Sequence, residues 1–218
     1  MRYAIPKFAF ALFVSSVSTG LQTGSTPPKA EPQESTRQYF PPGVFGQNVQ
    51  LSAYKERWYA SFLAAMREPS LVETARNDDS TQYRFLMVLN GRALSFRLEL
   101  LVDGTGELTV KRAILHPDKP NSVLVNGPVT VSAEKVREFL TLLQKANFWE
   151  LETEEASDKT RYGMDGTQWV LEGVKNREYH VVDRWSPKNT DFTRVCFFLL
   201  KLAPIDLGED SEKKEQER

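Results

Sequence analysis

Two strand-like segments that meet at Asn176–Arg177 constrain the fold of this chain more than any other feature. The segments TQWVLEGVK and REYHVVDRW are rich in valine and aromatic residues, which favour strands. A tight turn between them predicts a hairpin in which Trp169 faces Arg184. Because side chains alternate along a strand, the same hairpin places His180 and Asp183 on opposite faces.

The rest of the chain predicts separate helices and further hairpins. Helices are expected after the N-capping residue Ser52, after Ser132, and after either Ser186–Pro187 or Thr190. The Ser186–Pro187 start is favoured, because proline suits the first helical position. Strands are expected over 83–89, 94–102 and 107–115, with 123–131 broken at Asn126–Gly127–Pro128 into at best two short edge pieces. The order of these elements predicts a single α+β domain, with antiparallel hairpins packed against about three helices.

The first 24 residues have the pattern of a secretory signal peptide. Arg2 and Lys7 precede the apolar stretch Phe8–Val14, and the small residues of Ser15–Gly20 follow. A buried helix and an uncleaved membrane anchor are the alternatives. The pattern favours export to the periplasm or the extracellular space, with membrane contact only if the segment is retained.

Composition divides the remaining chain into three parts. Residues 25–47 are rich in Pro, Ser, Thr and Gln, which predicts a flexible linker. Residues 48–206 carry the aliphatic and aromatic residues of a folded domain, and 207–218 form a charged tail that is expected to be disordered.

Composition also excludes several classes of function. The formal net charge is -1 and no long Lys/Arg run occurs, so nucleic acid is not an expected partner. The standard nucleotide-binding and hydrolase motifs are absent. With two histidines and one cysteine, neither a metal nor another cofactor is expected. Cys196 lies among Phe197, Phe198 and Leu199, which predicts a buried thiol with a packing role.

The segment from Tyr162 to Pro187 holds the candidate functional residues, and two interpretations remain open. The first is a binding face around Trp169, Arg184 and Trp185. The second is a carboxylate–histidine site of a small hydrolase, formed by His180, Asp165, Glu172 and Asp183. A catalytic site requires these polar groups to converge in a pocket, whereas a binding face requires an exposed patch.

Three stretches of the chain resemble a family of uncharacterised bacterial exported proteins. The resemblance lies in FWELETEE, GMDGTQWVLEGVKNREYHVVDRWSP and FFLLKLAP, and extends to the helix at Glu56–Leu71. The family pattern reads Asp-Gly-x-x-Trp-x-Leu-Glu-Gly, followed by Tyr-His-Val-Val-Asp-Arg-Trp-Ser-Pro, and the resemblance covers about residues 54–203. It implies export and a common fold, and it implies no activity.

Together these observations favour a non-enzymatic binding or structural module of the cell envelope. Its expected partner is a protein or another envelope component. The small hydrolase is the alternative hypothesis.

Overall fold

The computed structural model describes residues 37–116, 121–155 and 166–203. The helices are α1 (Val49–Ala65), α2 (Leu71–Asn77), α3 (Ala133–Lys145) and α4 (Asp191–Leu202), with a 3-10 turn at Phe148–Glu150. The strands are β1 (Thr81–Leu89), β2 (Arg92–Leu100), β3 (Gly106–Ile114), β4 (Ser122–Val131), β5 (Gln168–Lys175) and β6 (Glu178–Trp185). All six strands form one antiparallel sheet in the order β4-β3-β2-β1-β5-β6. The predicted α+β class and single domain are confirmed.

One face of the sheet is covered by α3, α4 and the 3-10 turn. Phe85 and Phe96 stack at the centre of this layer, with ring centroids 5.7 Å apart. The helices contribute Phe139, Val195 and Leu199, all of which are fully buried. Burial of such large apolar side chains is the main favourable contribution to folding.

The opposite face is covered by α1 and by the chain that precedes it. Leu86 and Val170 of the sheet pack in the same apolar cluster as Tyr59 and Phe62 of α1.

Residues 37–47, which the composition assigns to a linker, belong to this layer. Tyr39, Phe40 and Phe45 are buried there, and the rings of Phe40 and Phe45 meet edge to face at 5.1 Å. Three aromatic anchors therefore fix a segment whose prolines and glycines are typical of a linker. The remainder of the predicted linker, the signal segment and the charged tail lie outside the described residues.

The helices differ from the sequence prediction in three respects. Helix α1 begins one turn before Ser52, because the side chain of Asn48 accepts a hydrogen bond from the Leu51 amide. Helix α2 was not predicted, because seven residues after Ser70 show too little periodicity. The final helix begins after Thr190 and not at the favoured Ser186–Pro187, because a reciprocal pair of hydrogen bonds between Thr190 and Thr193 forms a capping box.

The two edges of the sheet have different surroundings. At β6, the Asp183 amide donates to the Thr153 carbonyl at 2.7 Å, and Glu154 bridges to the strand in parallel orientation. Strand β4 pairs with β3 on one side, and Ser122–Thr130 are exposed. Within residues 37–116, 121–155 and 166–203, no helix is long and apolar enough to cross a membrane.

Candidate functional site

The β5–β6 hairpin has the register that the sequence predicts. Trp169 pairs with Arg184 and Gly173 with His180 across the two strands. Asn176 and Arg177 form the turn with φ of 52° and 63°. Two positive φ values are what a two-residue hairpin turn with the right-handed twist requires, and here an arginine adopts one of them.

Trp169 lies in the interior of the domain. Its side chain is 7% exposed and packs at 5.1 Å against both Phe85 and Phe197. The indole Nε1 donates to Thr167 Oγ1 at 2.9 Å, which satisfies the only polar group of the ring. Trp169 is therefore a core residue under α4.

Arg184 fastens the segment 152–155 to the edge of the sheet. Its guanidinium donates to the carbonyls of Glu152 and Thr153 at 2.9 and 2.8 Å and approaches Glu155 at 3.2 Å. The guanidinium also lies over the Phe192 ring, 5.7 Å from its centroid. We call Asp183, Arg184 and the attached segment 152–155 the β6 clamp.

The predicted binding face is thus mostly internal. Trp169 and Arg184 are buried, and Trp185 is half-buried beside Gly166, where a Cβ atom would overlap the indole. These three residues share a strand pair but do not present an exposed aromatic and arginine patch. The two-residue turn predicts their register, whereas α4 and the β6 clamp determine their burial.

The three described residues of the alternative catalytic site do not converge. His180 lies on the α3/α4 face of the sheet, between Phe148 at 5.0 Å and Trp149 at 6.1 Å. Its Nε2 is buried without a hydrogen-bond partner, and burial lowers the pKa of the ring below its ordinary value. Glu172 and Asp183 belong to the opposite face, and Asp165 lies outside the described residues.

Asp183 is held in a polar cluster between β6 and α1. Lys55 Nζ lies 2.8 Å from Asp183 Oδ2 and also binds Glu154, while the Tyr59 hydroxyl donates to Asp183 Oδ1 at 3.1 Å. Burial raises the pKa of Asp183, and Lys55 opposes that rise. The cluster joins α1, β6 and the β6 clamp, and these contacts occupy both oxygens of Asp183.

Glu172 forms a second buried ion cluster near the middle of the sheet. Arg84 donates to both of its oxygens, from Nε at 2.7 Å and from Nη2 at 2.8 Å. The Tyr179 hydroxyl adds a third bond at 3.0 Å. Arg84 also reaches the Pro69 carbonyl at 2.7 Å and Glu68 at 3.8 Å. Burial raises the pKa of Glu172, and Arg84 opposes that rise.

Sequence reasoning missed most members of these two clusters. Lys55 and Tyr59 lie on an aromatic-rich helix whose periodicity predicts only a core face. Arg84 carries no local signal, since a charged residue in a strand is ordinarily expected to be solvated, and Glu68 carries none because it lies in the loop between α1 and α2. The sequence singles out Glu172 and Asp183 as candidate catalytic residues, and the structure places both in buried ion pairs.

Strand β4 presents the most accessible apolar surface of the sheet. Leu124 and Val125 are 57% and 55% exposed, and Val123 is also exposed. Ser122–Val131 contains no charged residue, and charge is the common device that protects an edge strand from pairing. Among the described residues, no strand pairs with the outer side of β4. The register shifts near Gly127, and Pro128 has no N–H to donate, so the regular part of this outer edge is Ser122–Asn126. We call these five residues the β4 edge segment.

No family model, no curated protein and no solved structure matches this chain. Within the described ranges, no group of three or more His, Cys, Asp or Glu side chains could hold a metal ion. Cys196 is buried, and burial raises the pKa of its thiol well above the ordinary value. Because it is exposed, apolar and uncharged, the β4 edge segment is the strongest candidate contact surface among the described residues.

Proposed function

We propose that this protein is an exported, non-enzymatic binding module of the cell envelope, which recognises an extended protein segment through the β4 edge segment. Export is inferred from the order of charge, apolar residues and small residues in positions 1–24. The binding role is inferred from the sheet. The proposed binding strand, β4, therefore lies at the edge of the sheet opposite to β6, which carries most of the Tyr-His-Val-Val-Asp-Arg-Trp-Ser-Pro motif at Tyr179–Pro187.

The observation that carries the proposal is the contrast between the two sheet edges. At one edge, the β6 clamp occupies the strand at Asp183, whose amide is bonded within the chain to the Thr153 carbonyl and which Glu154 bridges. The β4 edge segment is exposed, uncharged and regular. An antiparallel edge strand directs the N–H and C=O of every second residue outward, and these groups bind an added strand. Exposed Leu124 and Val125 supply apolar contacts beside those hydrogen bonds.

The polar residues support a binding role over catalysis. Glu172 and Asp183 are fully engaged with Arg84, Lys55 and Tyr59. A general base needs hydrogen-bonding reach to a substrate proton, and groups held in this way lack that freedom. The hydrolase hypothesis is tested with a substrate screen on wild type and on Asp183→Asn. Turnover in wild type that disappears in an equally stable variant would contradict the proposal.

Photocrosslinking tests the contact surface directly. Benzoylphenylalanine is introduced at position 124 and, as the matched control, at position 102 of the β2–β3 turn, since Val102 is also exposed and apolar. In cells that export the full chain, position 124 should form a covalent adduct with a protein and position 102 should not. Equal labelling at both positions, or no adduct at either, would overturn the assignment of the β4 edge segment.

A further inference from the structure

We infer that the strand bound at the β4 edge segment is β4 of a second copy of this chain, so that two sheets join into one across a two-fold axis at Leu124. This inference rests on the proposed function and names its partner. The two strands would run antiparallel, as every neighbouring pair in the sheet does.

Only an extended chain can cover this edge of the sheet. Outward N–H and C=O groups along a strand require an extended partner, because only a strand presents acceptors and donors at the same spacing. The segment has no charge to complement, and its nearest charged neighbours on β3 lie one strand inward. Of these, Lys111 is engaged with Glu68 at 3.0 Å. An uncharged strand therefore fits better than an acidic or basic peptide.

The β4 edge segment is complementary to a second copy of itself. Antiparallel pairing about Leu124 sets Val123 opposite Val125 of the second copy, and Ser122 opposite Asn126 of the second copy. Polar residues then meet polar residues, and valine meets valine. Leu124 meets its own symmetry mate on the face that Arg112 shares, while the valines meet on the other face. Such a matched patch on both copies is the requirement of a two-fold interface.

Gly127 and Pro128 limit the interface to the first half of β4. Gly127 sits at the register shift with φ of 108°, and a Cβ atom there would lie 2.6 Å from the Leu108 carbonyl oxygen. Pro128 follows and has no N–H. The pairing therefore ends at Asn126, and Val129, although exposed on the same strand, lies beyond it.

The test measures the mass of the exported full chain by light scattering across a range of concentrations. Wild type should reach twice the monomer mass as concentration rises. Leu124→Lys and Leu124→Glu should each weaken the dimer by about tenfold or more, because directly opposite like charges repel. An equimolar mixture of the two variants should restore the doubled mass through an opposite-charge pair. Val129→Lys, the matched control on the same strand, should dimerise as wild type does.

A replacement variant and a competing peptide test the same interface independently. If a position 124 variant fails to fold, Val125→Lys replaces it, and a capped peptide of residues 121–127 should dissociate the wild-type dimer. A wild-type chain that stays monomeric at every concentration would overturn the inference. Crosslinking of position 124 to a different protein would then leave the proposed function standing. A dimer that neither variant nor peptide affects would place the interface elsewhere and overturn the inference.

Discussion

Replacement of Arg84 by methionine should be among the most damaging single changes in this domain. The Arg84 side chain is fully buried and is bonded to both oxygens of Glu172 and to the Pro69 carbonyl. Methionine fills much of the volume but leaves the Glu172 carboxylate buried without its cation. Removal of one partner from a buried ion pair costs about 3–5 kcal/mol, whereas replacement of both partners by apolar groups costs far less. Arg84→Met with Glu172→Leu should therefore recover part of the loss.

The free energy of unfolding is measured by urea titration of wild type, the single variant and the double variant. Arg177→Met is the control, because this arginine is exposed in the β5–β6 turn and its loss should cost no more than about 0.5 kcal/mol. A loss below about 1 kcal/mol for Arg84→Met would refute the reasoning.

The pH dependence of the Arg84→Met variant provides a second check. Burial already raises the pKa of Glu172, and removal of Arg84 should raise it further. An acid whose pKa is higher in the folded state than in the unfolded state binds more protons when folded. Its contribution to stability is therefore lost as pH rises through that window. The free energy of unfolding of the variant should therefore lie closer to that of wild type as pH is lowered from about 8 to about 5. A deficit that grows on acidification would contradict this account of Glu172.

The remaining predictions concern the Tyr179–Pro187 motif, its partners and export. Trp169→Ala should lower the free energy of unfolding by about 3–5 kcal/mol, and Trp169→Phe by much less, because the ring is buried under α4. Equal losses of stability in the two variants, measured by thermal unfolding, would contradict this. Arg184→Ala should cost about 1.5–3 kcal/mol through the lost bonds to residues 152 and 153, and faster hydrogen exchange at the Asp183 amide is the specific readout. Burial lowers the pKa of His180, so the unfolded chain binds more protons at this residue than the folded chain does. The free energy of unfolding of wild type should therefore fall as pH is lowered from about 7 to about 5. The free energy of unfolding of His180→Gln should fall less over the same range, and an identical fall would exclude His180 as a cause. The intact mass of the exported protein should lack about 18–30 residues, and a full-length mass would contradict cleavage.

The parts of the fold that follow from local sequence were predictable. The hairpin register came from strand composition and a two-residue turn, and both determinants lie within residues 168–185. The helix after Ser132 was equally clear, since a capping residue and helical periodicity occur together. Strand β4 was predicted as two pieces and is a single strand, because the register shift accommodates Gly127 without ending the pairing.

The contacts between layers were beyond sequence reasoning. Arg84 and Glu172 are 88 residues apart, and no local pattern connects a charge on β1 with one on β5. The burial of Trp169 and Arg184 depends on contacts with α4 and with segment 152–155. The sequence of the hairpin alone does not predict either contact. Likewise, the buried aromatics of residues 37–47 are anchors only because α1 lies beside them.

The most direct test of the account compares the two edges of the sheet by hydrogen exchange in the exported full chain. At a concentration where the chain is monomeric, the Asp183 amide should exchange slowly, because it is bonded within the chain to Thr153. The outward amides of residues 122–126 should exchange rapidly under the same conditions and become protected when the dimer forms. Protection of residues 122–126 that is already complete in the monomer would show that this edge is covered from within the chain. That result would contradict a binding role for the β4 edge segment.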